Sequence, residues 1–244
     1  MFSEACEQLV HEFGKNTLRC TPSLDEENNV EILSVVIIEK ETKLLFWTNC
    51  NCKFKPTPVK LEHILEDETP INVPETRRVL STNYQLSETF SLQAKAGIFF
   101  KKDLDAHIRA TDEVTLHAKF GKVVKTEVNR SQLMTQLLNR KLNLDHSFIQ
   151  DVRQNANNYI GVVTGVVYIE KESQINRETS LNANTEASAM LPLTFSTKVN
   201  SETNQELSLP NNTAIAYNVN ALTVLPDGAL KMSMVMQYCG GFTV

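Results

Sequence analysis

The chain has 244 residues, of which 41% are hydrophobic and 22% are charged, and this composition is typical of a folded globular protein. Its net charge of -5 argues against nucleic acids as partners, because binding to phosphates requires clustered lysine and arginine. The sequence contains no run of about 18 apolar residues, and its acidic start does not resemble a signal peptide. We therefore expect a protein that resides in the cytoplasm.

Neither catalysis nor metal binding is predicted. The sequence lacks the motifs of nucleophile elbows, zinc proteases, dinucleotide-binding folds and phosphate-binding loops, so we expect no enzyme, cofactor or metal. Cytoplasmic cysteines are expected to be free thiols, but an odd number leaves one available for an intermolecular disulfide on oxidation. The candidates for such redox chemistry are Cys6, Cys20, Cys50, Cys52 and Cys239.

The first predicted elements are a helix and a buried strand. Apolar residues recur at helical spacing over 2–13, and the opposite face of this helix is acidic. The strand at 32–38 is followed by a loop over 40–58 with four consecutive large apolar residues between lysines. These apolar residues either continue the strand into the core or enter a membrane while the lysines meet anionic headgroups. The candidate lipid-binding residues are Lys43, Leu44, Leu45, Phe46, Trp47, Lys53 and Lys55.

The segment 119–141 is basic and predicts a helix from about Ser131, followed by a second short helix that Asp145 caps. Its positive charge is either a solvated face or a face that binds lipid headgroups. On the second interpretation, Arg130 and Lys141 join the candidate lipid-binding residues.

Two long segments, 84–98 and 106–120, have a period of two residues, with one face nearly all apolar and the other nearly all polar. Each exceeds the roughly 9–11 residues that a tilted strand needs to cross a bilayer. They form either an ordinary half-buried sheet or a hairpin with one face for lipid and one for water. The candidate membrane-facing residues are Phe90, Leu92, Ala94, Ala96, Ile98, Ile108, Val114 and Leu116.

A second hairpin of this kind is predicted over 159–199. It begins with an apolar run at Tyr159, continues through a polar stretch and ends with alternating apolar residues. Its candidate membrane-facing residues are Val162, Val166, Leu191, Leu193 and Phe195. The end of the chain predicts two further strands joined by a turn at 226–228.

Several long stretches resemble the N-terminal pore-forming domain of the gasdermin family, closest to gasdermin E and pejvakin. They include the helix after Met1 and four segments that together extend the resemblance over nearly the whole chain: ILSVVIIEKETKLLFW, FGKVVKTEVNRSQLMTQLLNRKLNLDHSFIQ, NNTAIAYNVNALTVLPDGAL and the closing GGF. The resemblance implies one domain over 1–244 of the α+β class, with a twisted, mainly antiparallel sheet and packed helices. It also implies that two hairpins, at 84–120 and 159–199, extend and refold into a transmembrane β-barrel.

The resemblance implies a function as well. The partners would be acidic phospholipids and further copies of the chain, which form a ring in the membrane. Permeabilisation of the plasma membrane, or of another acidic-lipid membrane, would then cause lytic, pyroptosis-like cell death. The alternative is a non-lytic binding protein, since a gasdermin fold need not act as a pore.

Two features depart from the family pattern. The family's first helix usually carries basic residues, whereas this one is acidic, so headgroup binding would depend on the lysines and on 119–141. The sequence also contains no C-terminal repressor domain, so either the repressor was never present or the chain is a truncated product. For the first alternative, the hypothesis is inactive self-association in solution, locked by a disulfide.

Overall fold

The computed structural model describes residues 2–14, 17–21, 30–40, 52–100, 104–189, 194–225 and 227–234. Within these ranges the backbone alone is described for 90–100, 104–114, 180–189, 194–203 and 232–234. The described helices are α1 (Phe2–Gly14), α2 (Arg130–Leu137), α3 (Ser147–Arg153) and a short 3-10 helix at Leu61–Ile64. The described strands are β1 (Leu18–Cys20), β2 (Ser34–Lys40), β3 (Cys52–Lys60), β4 (Glu75–Phe100), β5 (Leu104–Val128), β6 (Asn158–Ile169), β7 (Ser173–Ala189), β8 (Thr194–Leu209), β9 (Thr213–Val224) and β10 (Leu230–Met234).

The ten described strands belong to one sheet in which every described pairing is antiparallel. Strand β6 is central: β9 follows one of its edges, and β2 and β5 share the other. Strand β5 has the same kind of divided edge, because it pairs with β6 near its end and with β7 over the rest. The predicted α+β class and mainly antiparallel sheet are confirmed.

Strand β6 is buried on both faces, as expected of a strand at the centre of a sheet. Val162 packs in a cluster with α2, α3 and the 3-10 helix, whereas the next residue, Val163, packs on the opposite side with Tyr217. A strand buried on both faces is apolar throughout and does not alternate. This explains the continuous apolar run of the sequence NYIGVVTGVVYI.

The predicted helices are confirmed, with one correction at a cap. Helix α1 matches the prediction at 2–13, and α2 begins one residue before Ser131. The prediction that Asp145 caps α3 is wrong. The cap is His146, whose extended backbone places Nδ1 3.2 Å from the Phe148 N–H that donates to it.

The predicted loop at 40–58 contains a strand in its second half. Strand β3 pairs with β2 between Lys40↔Cys52 and Ser34↔Lys60, and a second neighbour for β3 is absent from the described residues. Pro56, Pro58 and the lysines suit this position, because an edge strand needs no N–H on its open side and charge discourages further pairing. The predicted terminal strands are confirmed as β9 and β10.

Candidate functional site

Two hairpins, β4–β5 and β7–β8, dominate the molecule by their length. Their strands contain 26, 25, 17 and 16 residues, whereas strands in globular proteins usually have about 5–6. At about 3.4 Å per residue, β4 is roughly 88 Å long. Only the ends of these strands nearest the core are needed to complete the sheet, so most of each hairpin projects from it.

The backbone register joins both hairpins into one four-stranded sheet in the order β4-β5-β7-β8. Between 86–100 and 104–118, even positions of β4 pair with even positions of β5, as Ala94↔Ala110 does. Even positions of β5 then pair with odd positions of β7, and odd positions of β7 pair with odd positions of β8. Residues opposite each other share a face, so the alternation in the sequence is kept in step across all four strands.

Helix α1 covers the base of the hairpins. Its buried residues Ala5, Cys6 and Leu9 share a cluster with apolar residues from β4, β5, β7 and β8. The Tyr84 ring lies between two other aromatic rings: its centroid is 5.3 Å from that of Phe13 in an edge-on contact and 5.9 Å from that of Phe120 in a stacked one. The base is therefore well packed and anchors the projecting parts.

A joint at Gly121 separates the base from the core sheet. Gly121 has φ +58°, in the left-handed region that favours glycine, and it pairs with Tyr84 between two register shifts. Here β5 changes partner from β7 to β6. Two hydrogen bonds close the junction: the Ser173 hydroxyl donates to the Phe120 carbonyl at 3.1 Å, and the Glu170 N–H donates to the Lys122 carbonyl at 3.0 Å.

Glu170 also binds the first hairpin through its side chain. Its carboxylate pairs with Lys122 of β5 at 2.6 Å and with Arg77 of β4. The hydrogen bond from Lys122, together with the positive charges nearby, holds the pKa of Glu170 below its usual value of 4.5. Neither Glu170 nor Gly121 stood out in the sequence, because an isolated Glu and an isolated Gly carry no pattern until their partners are known.

Comparison with known proteins identifies the family. The family model described as the gasdermin pore-forming domain matches residues 1–243. The chain belongs to the gasdermin family.

Individual gasdermin relatives agree with this. Mouse pejvakin is 28% identical over 244 residues, which is 99% of this chain and 66% of pejvakin. Mouse gasdermin-E is 22% identical over 255 residues, which is 99% of this chain and 48% of gasdermin-E. The chain thus spans less than two thirds of these relatives.

A solved structure shows the same fold. The cryo-EM structure of the gasdermin A3 membrane pore matches with a TM-score of 0.68 at 20% identity, and the match covers 97% of this chain and 98% of that one. Among the described residues, this gasdermin has no helix long and apolar enough to cross a membrane.

The predicted second hairpin needs a correction. It lies at 173–209 and not at 159–199, because 158–169 form the central strand β6. Val162 and Val166 are fully buried in the core and are not hairpin residues. The continuous apolar run of β6, in contrast to the mixed alternation that follows it, is the signal that separates the two.

The other hairpin candidates fall in three groups. Leu116 is 1% exposed and packs beneath α1. Only the backbone is described for most of the others, which lie on β4, β5 and β8: Phe90, Leu92, Ala94, Ala96, Ile98, Ile108, Val114 and Phe195. Leu191 and Leu193 lie outside the described residues.

The candidate lipid-binding residues lie on different elements. Lys53 and Lys55 are on the edge strand β3, where the Lys55 ammonium is 2.7 Å from the Glu39 carboxylate. Arg130 begins α2, and Lys141 is exposed beside the β9–β10 turn, where it bridges to Ala229. Lys43 and the apolar loop residues at 44–47 lie outside the described residues.

The described cysteines lie in different environments. Cys6 of α1 is buried, and burial raises the pKa of its thiol far above the usual value. Cys20 on β1 packs against the same cluster, and burial raises the pKa of its thiol to about 11. Cys52 is half-buried on β3. A raised thiol pKa suppresses the reactive thiolate, so Cys6 and Cys20 are poor sites for oxidation. Cys50 and Cys239 lie outside the described residues.

The E170Q variant is expected to be less stable than the wild type at neutral pH and equally stable in acid. The lowered pKa means that the carboxylate stabilises the fold above pH 4.5, and that this contribution is lost as the pH falls through the lowered value. Thermal unfolding from pH 7 to pH 3 measures the difference. E172Q, which removes an exposed carboxylate two residues away, is the control. A gap between E170Q and wild type that persists at pH 3 would contradict the assignment.

Proposed function

We propose that this gasdermin permeabilises membranes by inserting the hairpins β4–β5 and β7–β8. The observation that carries the proposal is the joint register of the two hairpins, in which their far ends meet at Leu104↔Ala189. Two independent hairpins of a soluble sheet have no need to end at one level, whereas strands that cross a bilayer together do. Family membership and the likeness in fold to a gasdermin pore support the same function.

The membrane partner in this proposal is a surface of acidic phospholipids. Lysines and arginines near a membrane surface are each attracted by roughly 1 kcal/mol to anionic lipids. Lys53, Lys55, Arg130 and Lys141 are the described candidates for headgroup contact, and the loop 43–47 would insert its apolar side chains. Because Lys55 is paired with Glu39, it exchanges this carboxylate for a lipid phosphate.

Further copies of the chain complete the pore as a ring, and leakage of the plasma membrane, or of another acidic-lipid membrane, causes lytic, pyroptosis-like cell death.

Before activation the protein is cytoplasmic and self-associates, which covers its membrane-binding surface. A disulfide between copies would stabilise that inactive state. Cys50, Cys52 and Cys239 are better candidates for it than Cys6 and Cys20, whose thiols are buried or have raised pKa values.

Dye release from liposomes tests the proposal. We expect release from vesicles with anionic lipid, little release from purely zwitterionic vesicles, and faster release with reductant if a disulfide holds the inactive state. Variants with serine at Cys50, Cys52 and Cys239 should then leak without reductant. Folded protein that binds anionic vesicles but releases no dye in any condition would overturn the pore function.

A second candidate function is membrane or partner binding without lysis. The observation that favours it is the identity with mouse pejvakin, 28% against 22% for mouse gasdermin-E. Binding without leakage in the same experiment, together with monomeric or dimeric protein on the vesicles, would favour it over the pore.

A further inference from the structure

One row of paired residues crosses all four hairpin strands where the part of the hairpins covered by α1 ends. The register aligns Glu88 of β4, Leu116 of β5, Arg177 of β7 and Gln205 of β8. Leu116 is buried beneath α1, as are Ala118 and Ile175 of the adjacent row. This row therefore divides the face that α1 covers from the part of the same face that continues to the hairpin ends.

The row also contains charged residues, whereas the part of this face beyond it is almost free of them in the sequence. This face consists of the even positions of β4 and β5 and the odd positions of β7 and β8. Beyond the row, Asp112 is the single ionisable residue that the sequence has at these positions within the four strands. The row itself holds Glu88 and Arg177 on either side of Leu116. Arginine cannot lose its charge in a protein, so Arg177 stays charged wherever the hairpin places it.

Helix α1 supplies the counter-charge for Arg177. The Glu4 carboxylate Oε1 lies 3.7 Å from Arg177 Nη1, and both side chains keep partial access to solvent, at 45% and 30%. Glu4 is in the first turn of α1, so the pair connects the end of the helix to the second hairpin. An exposed ion pair contributes little in water, but its contribution grows where the surroundings are less polar.

The length of the strands beyond the row matches a bilayer. Twelve residue steps separate Glu88 from Phe100, Leu116 from Leu104 and Arg177 from Ala189. At about 3.4 Å per residue this is about 41 Å of strand, and at a tilt of about 40° it spans about 31 Å. The hydrocarbon core of a bilayer is about 30 Å thick.

We propose that the row Glu88–Leu116–Arg177–Gln205, held by the Glu4–Arg177 pair, sets the depth of insertion. Hydrocarbon begins on the hairpin side of this row, and α1 rests above it as a protein cover and not as a headgroup-binding helix. The physical reason is that arginine is costly in the bilayer centre but nearly free at its interface. This role is consistent with the acidic surface of α1, because acidic side chains are repelled by anionic headgroups. The inference rests on the proposed pore function.

Depth-dependent quenching tests the boundary. A single tryptophan is placed at Gln205 or Ala183 in a W47F background, and vesicles contain phospholipids brominated at different depths along the acyl chain. We expect the A183W variant to be quenched most strongly by bromines near the chain ends. We expect the fluorescence of Q205W not to be quenched by bromines on the acyl chains and to be quenched by aqueous iodide.

Charge variants test the ion pair. E4Q should slow dye release about threefold, the scale expected of a single exposed ion pair. The charge swap E4R/R177E should restore the rate. E7Q is the matched control, because Glu7 is exposed on the same helix and accepts a hydrogen bond from Ser3 at 3.2 Å. Equal slowing by E4Q and E7Q would overturn the role of the pair.

The outcomes separate this inference from the function on which it rests. If the protein releases dye but Q205W is quenched by chain bromines, the boundary is wrong and the pore function still holds. An absence of both dye release and chain quenching at either position, in protein shown to be folded, would overturn the pore function and the boundary together.

Discussion

The A110P variant is expected to reduce dye release at least about tenfold while the core stays folded. Ala110 lies on β5 between two partner strands, opposite Ala94 of β4 and Ala183 of β7. Proline has no N–H and is excluded from the middle of a sheet, so it breaks the ladder of the inserted hairpin. The position is eleven residues from Gly121, where β5 joins the core sheet. Liposome release and thermal unfolding are measured on the same preparation.

A serine at the same position is the matched control for A110P. It adds a polar atom but keeps the backbone N–H, so A110S should retain most of the activity. If A110P released dye at the wild-type rate, the projecting part of β5 would have no role in permeabilisation. If A110P failed to fold, the core would depend on the projecting hairpin. We do not expect this, because the strand around Ala110 pairs only with β4 and β7.

The G161A variant is expected to lower the stability of the whole fold. A Cβ atom at Gly161 would lie 2.6 Å from Val219 Cγ1, 2.9 Å from Ile38 Cδ1 and 3.3 Å from the Asn220 carbonyl. Gly161 is on the central strand β6, where neighbours on both faces are close-packed. Overpacking of this kind typically costs about 1–3 kcal/mol. For a protein of this size, each kcal/mol lowers the melting temperature by about 2–4 °C.

Gly121 provides the control for G161A. A Cβ atom there meets no other atom within 4 Å, and the only cost of G121A is the positive φ of +58°. That cost is about 1–2 kcal/mol. Because G161A forces two buried side chains to move and G121A forces none, G121A should be less destabilised than G161A. Equal melting temperatures for the two variants would show that the core around β6 yields to the added methyl group.

The helices and the first hairpin could be predicted because their signals are local. Helical spacing of apolar residues placed α1 to within one residue, and the alternation over 84–120 placed the projecting parts of β4 and β5. The family resemblance was predictable for the same reason, because it rests on long continuous stretches. The cap of α3 was not predictable, because Asp145 and His146 are adjacent and the sequence does not say which of them has the extended backbone of the cap.

The second hairpin shows where local patterns fail. The apolar run of β6 and the alternation over 187–199 predict one hairpin when they are taken alone, because both have the pattern of strands. What separates them is the number of buried faces, and that number depends on which strands lie on each side. Most of strand β7 is the polar stretch of the sequence, so no apolar pattern indicates that it pairs with β5 over 174–189.

The sequence by itself determined the alternation of the hairpins, the acidic surface of α1 and the class of the fold. Side-chain periods follow from the backbone alone, so they are visible in any window of a few residues. Only the tertiary structure decided that β6 is the central strand, that β5 changes partner at Gly121, and that Glu4 faces Arg177. These relations connect residues that are from tens to more than 170 positions apart, and the packing of the whole sheet selects among the many pairings that the local patterns allow.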